Sequence, residues 1–333
     1  MKKKILILLA VCIMFATGCF SKKNDPMKGI LNKYDNIKAY SLTGDLEITN
    51  NDDVYNYDVK VMFQKKDKFY VSLKNRNNNH EQIILKNEDG VYVITPSLNK
   101  SFKFQSEWPY NNSQAYLIQS IINDMKGDKD KELVSSDNTY IYTTKVNYPN
   151  NRKLVKQIVV FDKDYNLKSV SIVDENDIVG MKMSFQTIDL KPNINKDKFD
   201  INKIIDANNN EENTLEKPTA TLDDIIYPLY LPTGTVLTNS EKINKTDGER
   251  VIMTFEGEKP FLLVEETASV EEEFSIIPTF GEPGILIDTV GALTDSSITW
   301  SSNGIDYYIV SDVMGKQELL EIARSVNVIP VMK

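Results

Sequence analysis

Cysteine is nearly absent: Cys12 and Cys19 are the only two in 333 residues. Both lie near the N-terminus, so the chain beyond them holds no disulfide, no free thiol and no thiolate metal site. Histidine is scarcer still, with His80 alone. Zinc would need His80 plus carboxylates, a poor ligand set, and a single histidine in the loop "NRNNNHEQ" reads as solvated. A membrane-spanning run is also missing from the N-terminus: residues 5–15 are apolar and uncharged, but a spanning helix needs about 20 such residues. No basic stripe with interleaved aromatics occurs, and the formal net charge is −9. Such a surface repels nucleic acid.

Catalytic patterns are equally thin. No GxSxG occurs, and no strand, Gly-rich loop and helix follow one another to cradle phosphate. Glu271, Glu272 and Glu273, like Asp223 and Asp224, are adjacent in sequence. Neighbours on a strand face opposite ways, so they make no general acid/base pair. "DKDYN", residues 162–166, opens like a calcium loop but has Leu167 where Gly is needed and Val173 where Glu is needed. It reads as a hairpin turn, and "GEPG", residues 281–284, as another turn. No catalytic residue, metal or cofactor is expected.

What is present begins at the N-terminus. Lys2, Lys3 and Lys4 precede the apolar run, and Ala16, Thr17 and Gly18 precede Cys19. A basic region, a short apolar region and small residues form a signal peptide. Small residues before a cysteine match the lipobox of bacterial lipoproteins, with Ala16 where Leu is commoner. Residues 1–18 are therefore expected to leave, and Cys19 to carry a diacylglycerol anchor, enough for stable membrane attachment. Loss of the three lysines takes the net charge to about −12. Residues 19–26 are polar and read as a tether. The expected location is the extracytoplasmic face of the cell membrane.

Met27, Ile30, Leu31 and Tyr34 recur at helical spacing. From Ala39 the period changes to two: "YSLTGDLEIT", "YNYDVKVMFQ", "KFYVSLKN", "EQIILK", "GVYVITP" and "KSFKFQ" read as six strands with one face apolar and one wet. The pattern breaks at "SEWPYNNSQAYLIQSIINDMKGD". There Ser113 reads as an N-cap, Ala115, Leu117, Ile118, Ile121, Ile122 and Met125 as a broad apolar helix face, and Gly127 as the close. Four strands resume: "TYIYTTKVNY", "VKQIVVFD", "LKSVSIVD" and "GMKMSFQTIDL". Residues 192–217 are polar with little period, and "ANNNEENTLEKP" is a linker by composition. A second unit follows: an extended "IYPLYLPTGT", strands "RVIMTFEG" and "PFLLVEET", a loop through "TFGEPG", strands "SSITWSSNG" and "IDYYIVS", and a helix "GKQELLEIARSV". The domain reading is a half-barrel unit over 27–205, a linker over 206–220 and a small α+β unit over 221–333. The linker permits either independent motion or docking.

A long antiparallel meander around a helix makes a half-closed barrel, an α+β fold whose concave face must be filled by the helix or by a ligand. Bare apolar surface costs about 25 cal/mol per Å². Phe102, Phe104, Trp108, Leu117, Ile118 and Ile121 are the candidates to line such a cavity; the alternative is that they pack the helix onto the sheet.

The stretch "GVYVITPSLNKSFKFQSEWPYNNSQAYLIQSIINDM", residues 90–125, resembles the YdcC-like sporulation lipoproteins of Gram-positive endospore formers. These belong with the LolA lipoprotein carrier, LolB and the RseB stress sensor, and the germination lipoprotein GerS is a shorter relative. The resemblance covers residues 27–205; residues 221–328 look like an extracytoplasmic domain found after membrane anchors. It implies a LolA-like half-barrel of about eleven strands with a helical lid, and no catalysis. LolA delivers acylated lipoproteins to an outer membrane, which a Gram-positive cell lacks, so the carrier role transfers poorly to an anchored chain. The implied role is a binding or scaffold protein of sporulation or germination. It would act through a protein partner such as a cell-wall amidase or a membrane regulator. An acyl chain or lipopeptide held in the half-barrel, with RseB-like sensing, is the alternative.

Overall fold

The computed structural model describes residues 25–326, except 51–52, 78, 111, 137, 149–152, 211–221, 223–224, 247, 270–273, 287–288 and 303. Cys19 and its flanks, both adjacent-carboxylate clusters and most of the expected linker lie outside the described residues.

The first helix, α1, is Pro26–Tyr34. Asp25 caps it: its Oδ1 accepts from Met27 N at 3.0 Å, and Pro26 at the first position surrenders no needed N–H. Met27, Ile30 and Tyr34 form its buried face. Six strands follow: β1 (Ala39–Asn50), β2 (Asp53–Gln64), β3 (Lys68–Asn75), β4 (Glu81–Asn87), β5 (Gly90–Thr95) and β6 (Lys100–Phe104). The second helix, α2, is Ile118–Gly127. After it come β7 (Glu132–Ser135), β8 (Thr139–Lys145), β9 (Lys156–Asp162), β10 (Leu167–Val173) and β11 (Val179–Asp189), and then α3 (Ile201–Asn210). These eleven strands match the number that the family resemblance implies; the alternation of residues revealed ten. The missing one is β7, whose four residues are all exposed, so no apolar face marks it.

The strands form two antiparallel meanders joined where β1 pairs with β11, Leu42 opposite Ile188. The sheet runs β6-β5-β4-β3-β2-β1-β11-β10-β9-β8-β7. The concave face carries one core, in which Leu42, Val61, Val71, Val93, Val159 and Val170 meet α1 and α2. The convex face is not uniformly wet. β4 and β5 are buried along most of their length, because Phe199, Ile201 and Ile204 pack on Met62, Ile83, Leu85, Tyr92 and Ile94. A helix thus covers strands expected to face water, and the first five residues of the proposed linker, 206–210, belong to that helix. β9, away from it, keeps strict alternation.

α2 begins later than expected. Ser113 is not its cap: its hydroxyl accepts from Asn147 N at 2.8 Å, and Leu117 stands at the cap position. The bend before it is held by Ser120 Oγ, which accepts from Gln114 N at 2.7 Å. The 162–166 turn is a hairpin, with Asp162 Oδ1 accepting from Asp164 N and Asn166 N at 2.9 and 2.8 Å.

The second sheet contains β12 (Thr235–Lys245), β13 (Gly248–Gly257), β14 (Phe261–Thr267), β16 (Glu282–Ile285), β17 (Val290–Leu293), β18 (Ser297–Ser302) and β19 (Ile305–Val310), in the order β12-β13-β14-β19-β18-β17-β16. α4 (Lys316–Ser325) packs on it through Leu319, Leu320, Ile322 and Ala323. Glu318 Oε2 accepts from Gly315 N at the start of α4, as an acidic side chain at the third helical position can. The core includes Val251, Met253, Phe255, Leu263, Trp300 and Ile309. "GEPG" is therefore no turn: three of its residues are in β16. The expected loop through "TFGEPG" contains that strand and is preceded by β15 (Ser275–Thr279). β15 leaves its own unit and pairs in parallel with β6, making the first sheet twelve-stranded.

Candidate functional site: the junction of the two sheets

The residues singled out by the sequence converge on the first core. Phe104, Trp108, Leu117, Ile118 and Ile121 are buried there, and Phe102 is half-buried against it. The chain between β6 and α2 is pinned onto the sheet: Trp108 packs edge-on against Phe69 at 5.9 Å between ring centroids, and Lys86 Nζ donates to Trp108 O at 2.7 Å. Tyr110 OH donates to Asp67 Oδ1 at 2.6 Å. The six residues pack into the concave side; a cavity of about 50 Å³ touches the set at Trp108 and one of about 100 Å³ touches it at Leu117.

The rest of the mouth is stopped by the second unit. Val290 and Ala292 of β17 belong to the first core, not the second. Gln82 of β4 grips that strand: its Nε2 donates to Val290 O at 3.1 Å, and its Oε1 accepts from Val290 N. A buried amide placed this way serves both backbone polar groups of one residue. Lys100 Nζ meets Asp306 Oδ2 at 2.9 Å across the junction. β15 adds backbone pairing, with Ile277 opposite Phe102.

Three cavities line this seam. One of about 10 Å³ lies among Leu46, Tyr57, His80, Gln82 and Val290. One of about 50 Å³ lies among Ile84, Trp108, Tyr116, Met181 and Leu320. An outer cleft of about 350 Å³ is lined by Leu154, Met181, Tyr230, Leu286 and Arg324. Ile285 of β16 borders all three, and Met181 and Arg324 border both the outer cleft and the 50 Å³ cavity. Arg324 Nη2 donates to Ile285 O at 2.9 Å. Burial pushes its guanidinium pKa down to about 10, which leaves it charged at neutral pH.

His80 is not a solvated loop residue. It is half-buried in the seam, and burial pushes its pKa below the usual histidine value. Among the described residues no group of three or more His, Cys, Asp or Glu side chains is placed to hold a metal. Ser97 and Lys100 have the S-x-x-K spacing of some serine hydrolases. Lys100 is committed to Asp306 instead. Two carboxyls are perturbed away from the seam. Burial pushes Asp124 up to about 6, against a hydrogen bond from Ser113. Burial pushes Glu265 up to about 7, against a hydrogen bond from Ile226 N.

Sequence reasoning missed the seam residues. Arg324 carried a faint signal: it follows Leu320 by four on α4, a cation on the helix's apolar stripe. Gln82, Ile285 and Val290 carried none: Gln82 looks like an ordinary strand residue, and Ile285 and Val290 fall between "TFGEPG" and "SSITWSSNG", where no strand was read.

Fold and junction define a class: an open antiparallel barrel wrapped around helices, its mouth closed by a second sheet unit of the same chain. No family model matches the chain. It is 35% identical over 321 residues to sporulation protein YdcC of Bacillus subtilis (strain 168), an alignment covering 96% of this chain and 94% of that protein. The chain belongs to the YdcC family. Among solved structures, MucB in the Pseudomonas aeruginosa MucA/MucB complex is similar at 12% identity and a TM-score of 0.33. That match covers 89% of this chain and 96% of that one. The complex of the CwlD amidase from Clostridioides difficile with the GerS lipoprotein is similar at 13% identity and a TM-score of 0.28, covering 52% of this chain and 95% of that one.

Proposed function

We propose that this protein is an extracytoplasmic scaffold of sporulating cells, anchored by a lipid on Cys19, that binds a protein partner and performs no turnover. The observation that carries the reading is the kinship with a sporulation protein over 96% of the chain. Two features support it. The lipobox before Cys19 suits an anchor, and no described helix is long and apolar enough to cross a membrane. The half-barrel is packed with its own side chains and with β17, so the six aromatic and aliphatic residues expected to line a cavity serve the core. A lipid or lipopeptide carried in the half-barrel would require these residues to part.

Exposed apolar side chains offer partner surface: Ile276, Ile277 and Phe280 at the β15 edge, and Tyr227, Leu229 and Tyr230 in the lead-in to the second unit. A cell-wall amidase or a membrane regulator is the kind of partner proposed.

The test is intact mass with copurification of the full chain from membranes of a sporulating Gram-positive host. The expected N-terminus is a diacylated Cys19, with one protein retained in stoichiometric amount. An unmodified Cys19 removes the anchor from the reading. A bound lipopeptide with no retained protein replaces the scaffold with the carrier.

A further inference from the structure

The stretch before α1 limits where the first unit can stand. Cys19 and Asp25 are six residues apart, and a chain extends at most about 3.6 Å per residue. The start of α1 therefore lies within about 22 Å of whatever holds Cys19. The β9–β10 hairpin is fastened beside that start. Lys33 Nζ donates to Asp164 O at 3.1 Å and also to Asn166 Oδ1, and Tyr34 OH accepts from Leu167 N at 3.0 Å. Gly29 leaves room for Tyr165, whose ring lies 2.3 Å from where a Cβ would stand. Tyr165 stacks on Tyr140 of β8 at 5.5 Å between centroids. β8 in turn carries β7, with Leu133 opposite Tyr142 and Ser135 opposite Tyr140. Burial and then the charge of Asp25 raise the Tyr142 pKa to about 12, so the residue that caps α1 is close to the strand that pairs with β7.

This end of the unit presents apolar side chains to solvent. Val134 is 66% exposed and Leu133 42%, on a strand at the end of its sheet. Tyr140 and Tyr165 are half-buried, and Lys28 and Lys163 are exposed on the same helix and hairpin. Tyrosine suits the layer between water and hydrocarbon, and lysine reaches out of it along its own apolar stem. The second unit meets the opposite end of these strands. β10 runs from Leu167 at the hairpin to Val173, about 20 Å at 3.3 Å per residue. The turn beyond it borders the outer cleft through Asp174 and Ile178, against Tyr230 and Arg324. A short tether on Cys19 thus holds the β7 end, and not the second unit, beside the lipid at high effective concentration, where a few apolar contacts suffice. The chain is acidic as a whole, so the contact is with the boundary of headgroup and acyl chain rather than with anionic lipid.

We propose that in the anchored chain β7 and the β9–β10 hairpin rest on the membrane surface, with Leu133, Val134 and Tyr165 in its interfacial layer and the second unit directed away from it. The inference rests on the reading of Cys19 as a lipid anchor. It turns the exposed lead-in to the second unit, Tyr227, Leu229 and Tyr230, outward to where a protein partner can reach it.

The experiment is photolabelling in phosphatidylcholine vesicles whose lipid carries a diazirine on its acyl chain, the labelled peptides being mapped by mass spectrometry. Two preparations are compared: the full chain extracted from host membranes with its own N-terminus, and the chain from Cys19 onward joined through the Cys19 thiol to a maleimide lipid. Trypsin releases residues 132–145, between Lys131 and Lys145, with Leu133, Val134 and Tyr140 inside. Label is expected there and on the peptide bearing Tyr165, and not on peptides of the second unit. Leu133→Asp and Val134→Asp alter exposed side chains and spare the core; each is expected to cut the label on 132–145 about fivefold, the effect of a charge placed near the membrane interface. Label on 132–145 in the linked chain beside an unmodified Cys19 in the extracted one removes the natural anchor and keeps the face. No label on 132–145 in the linked chain, equal label on the second unit, or label unchanged in both Asp variants overturns the proposal.

Discussion

The two sheets bury their residues in different ways. In the first, helices cover both faces of the middle strands, and β5 is buried at five consecutive positions. In the second, β13, β14 and β19 keep alternation, with α4 on one side. The edge strand β12 is exposed at nine of its eleven positions. The first sheet is a barrel wall around a filled interior, and the second is a one-sided slab whose other edge, β16 and β17, is pushed into that interior. A strand's burial pattern therefore reports what lies on each side of it, not the strand alone.

Each core contains one of the chain's two tryptophans, Trp108 in the first and Trp300 in the second. Single-tryptophan variants, Trp108→Phe and Trp300→Phe, let the two units be followed separately. The largest effect is expected from Ile121→Asp, which places a charge at a fully buried position of α2 and costs more than about 4 kcal/mol. The Trp108 signal should show a unit unfolded at room temperature. The Trp300 midpoint should also fall, because β17 and β15 lose their seat. A Trp300 midpoint equal to wild type would make the units independent and break the comparison.

The next effect is pH-dependent and differs between the units. Glu265 is fully buried and its pKa is raised to about 7 from an ordinary 4.5. The folded state then holds the proton more tightly than the unfolded chain. Its contribution to stability is fully present below about pH 4.5 and is lost as pH rises through about 7, a change of about 3 kcal/mol. Asp124 acts in the same direction in the first unit, between its ordinary 3.8 and about 6. Melting followed through Trp300 should therefore weaken from pH 4.5 to 7, and Glu265→Gln should flatten that slope. A slope retained in the Gln variant assigns it to another group.

The smallest effect sharpens the junction. Gln82→Ala leaves Val290 N–H and C=O without their side-chain partner, at about 1–3 kcal/mol. The expected result is two resolved melting transitions where wild type shows one. A single transition with an unchanged midpoint would mean that β15 and the Lys100–Asp306 pair suffice to hold the units together.

Legibility in the sequence followed the source of the signal. Strands with one dry and one wet face, such as β9 and β13, were readable because burial itself writes the period of two. β7 and β12 were not, since nearly all their side chains face water and only backbone pairing makes them strands. α3 was hidden because its short apolar set, Ile201 and Ile204, sits in a polar neighbourhood. Ser113 looked like a helix cap by type and place, but it was taken by Asn147, a partner 34 residues away. Of the six residues proposed to line a cavity, five are buried in the first core and Phe102 packs against it. The cleft that the structure does contain lies elsewhere, at residues that only the docking of two units brings together.

By itself, the sequence determined the compositional exclusions, the two-part order of elements, the helix faces and the apolar inventory of both cores. All of these depend on residue type and short-range spacing. The tertiary structure alone decided that β15 crosses to the first sheet, that β17 stops the barrel's mouth, and that Gln82, Ile285 and Arg324 meet at the seam. Those contacts join residues as many as 208 positions apart. No local period encodes them; they arise because a half-barrel with an open apolar mouth is stabilised by whatever surface of its own chain fits it best.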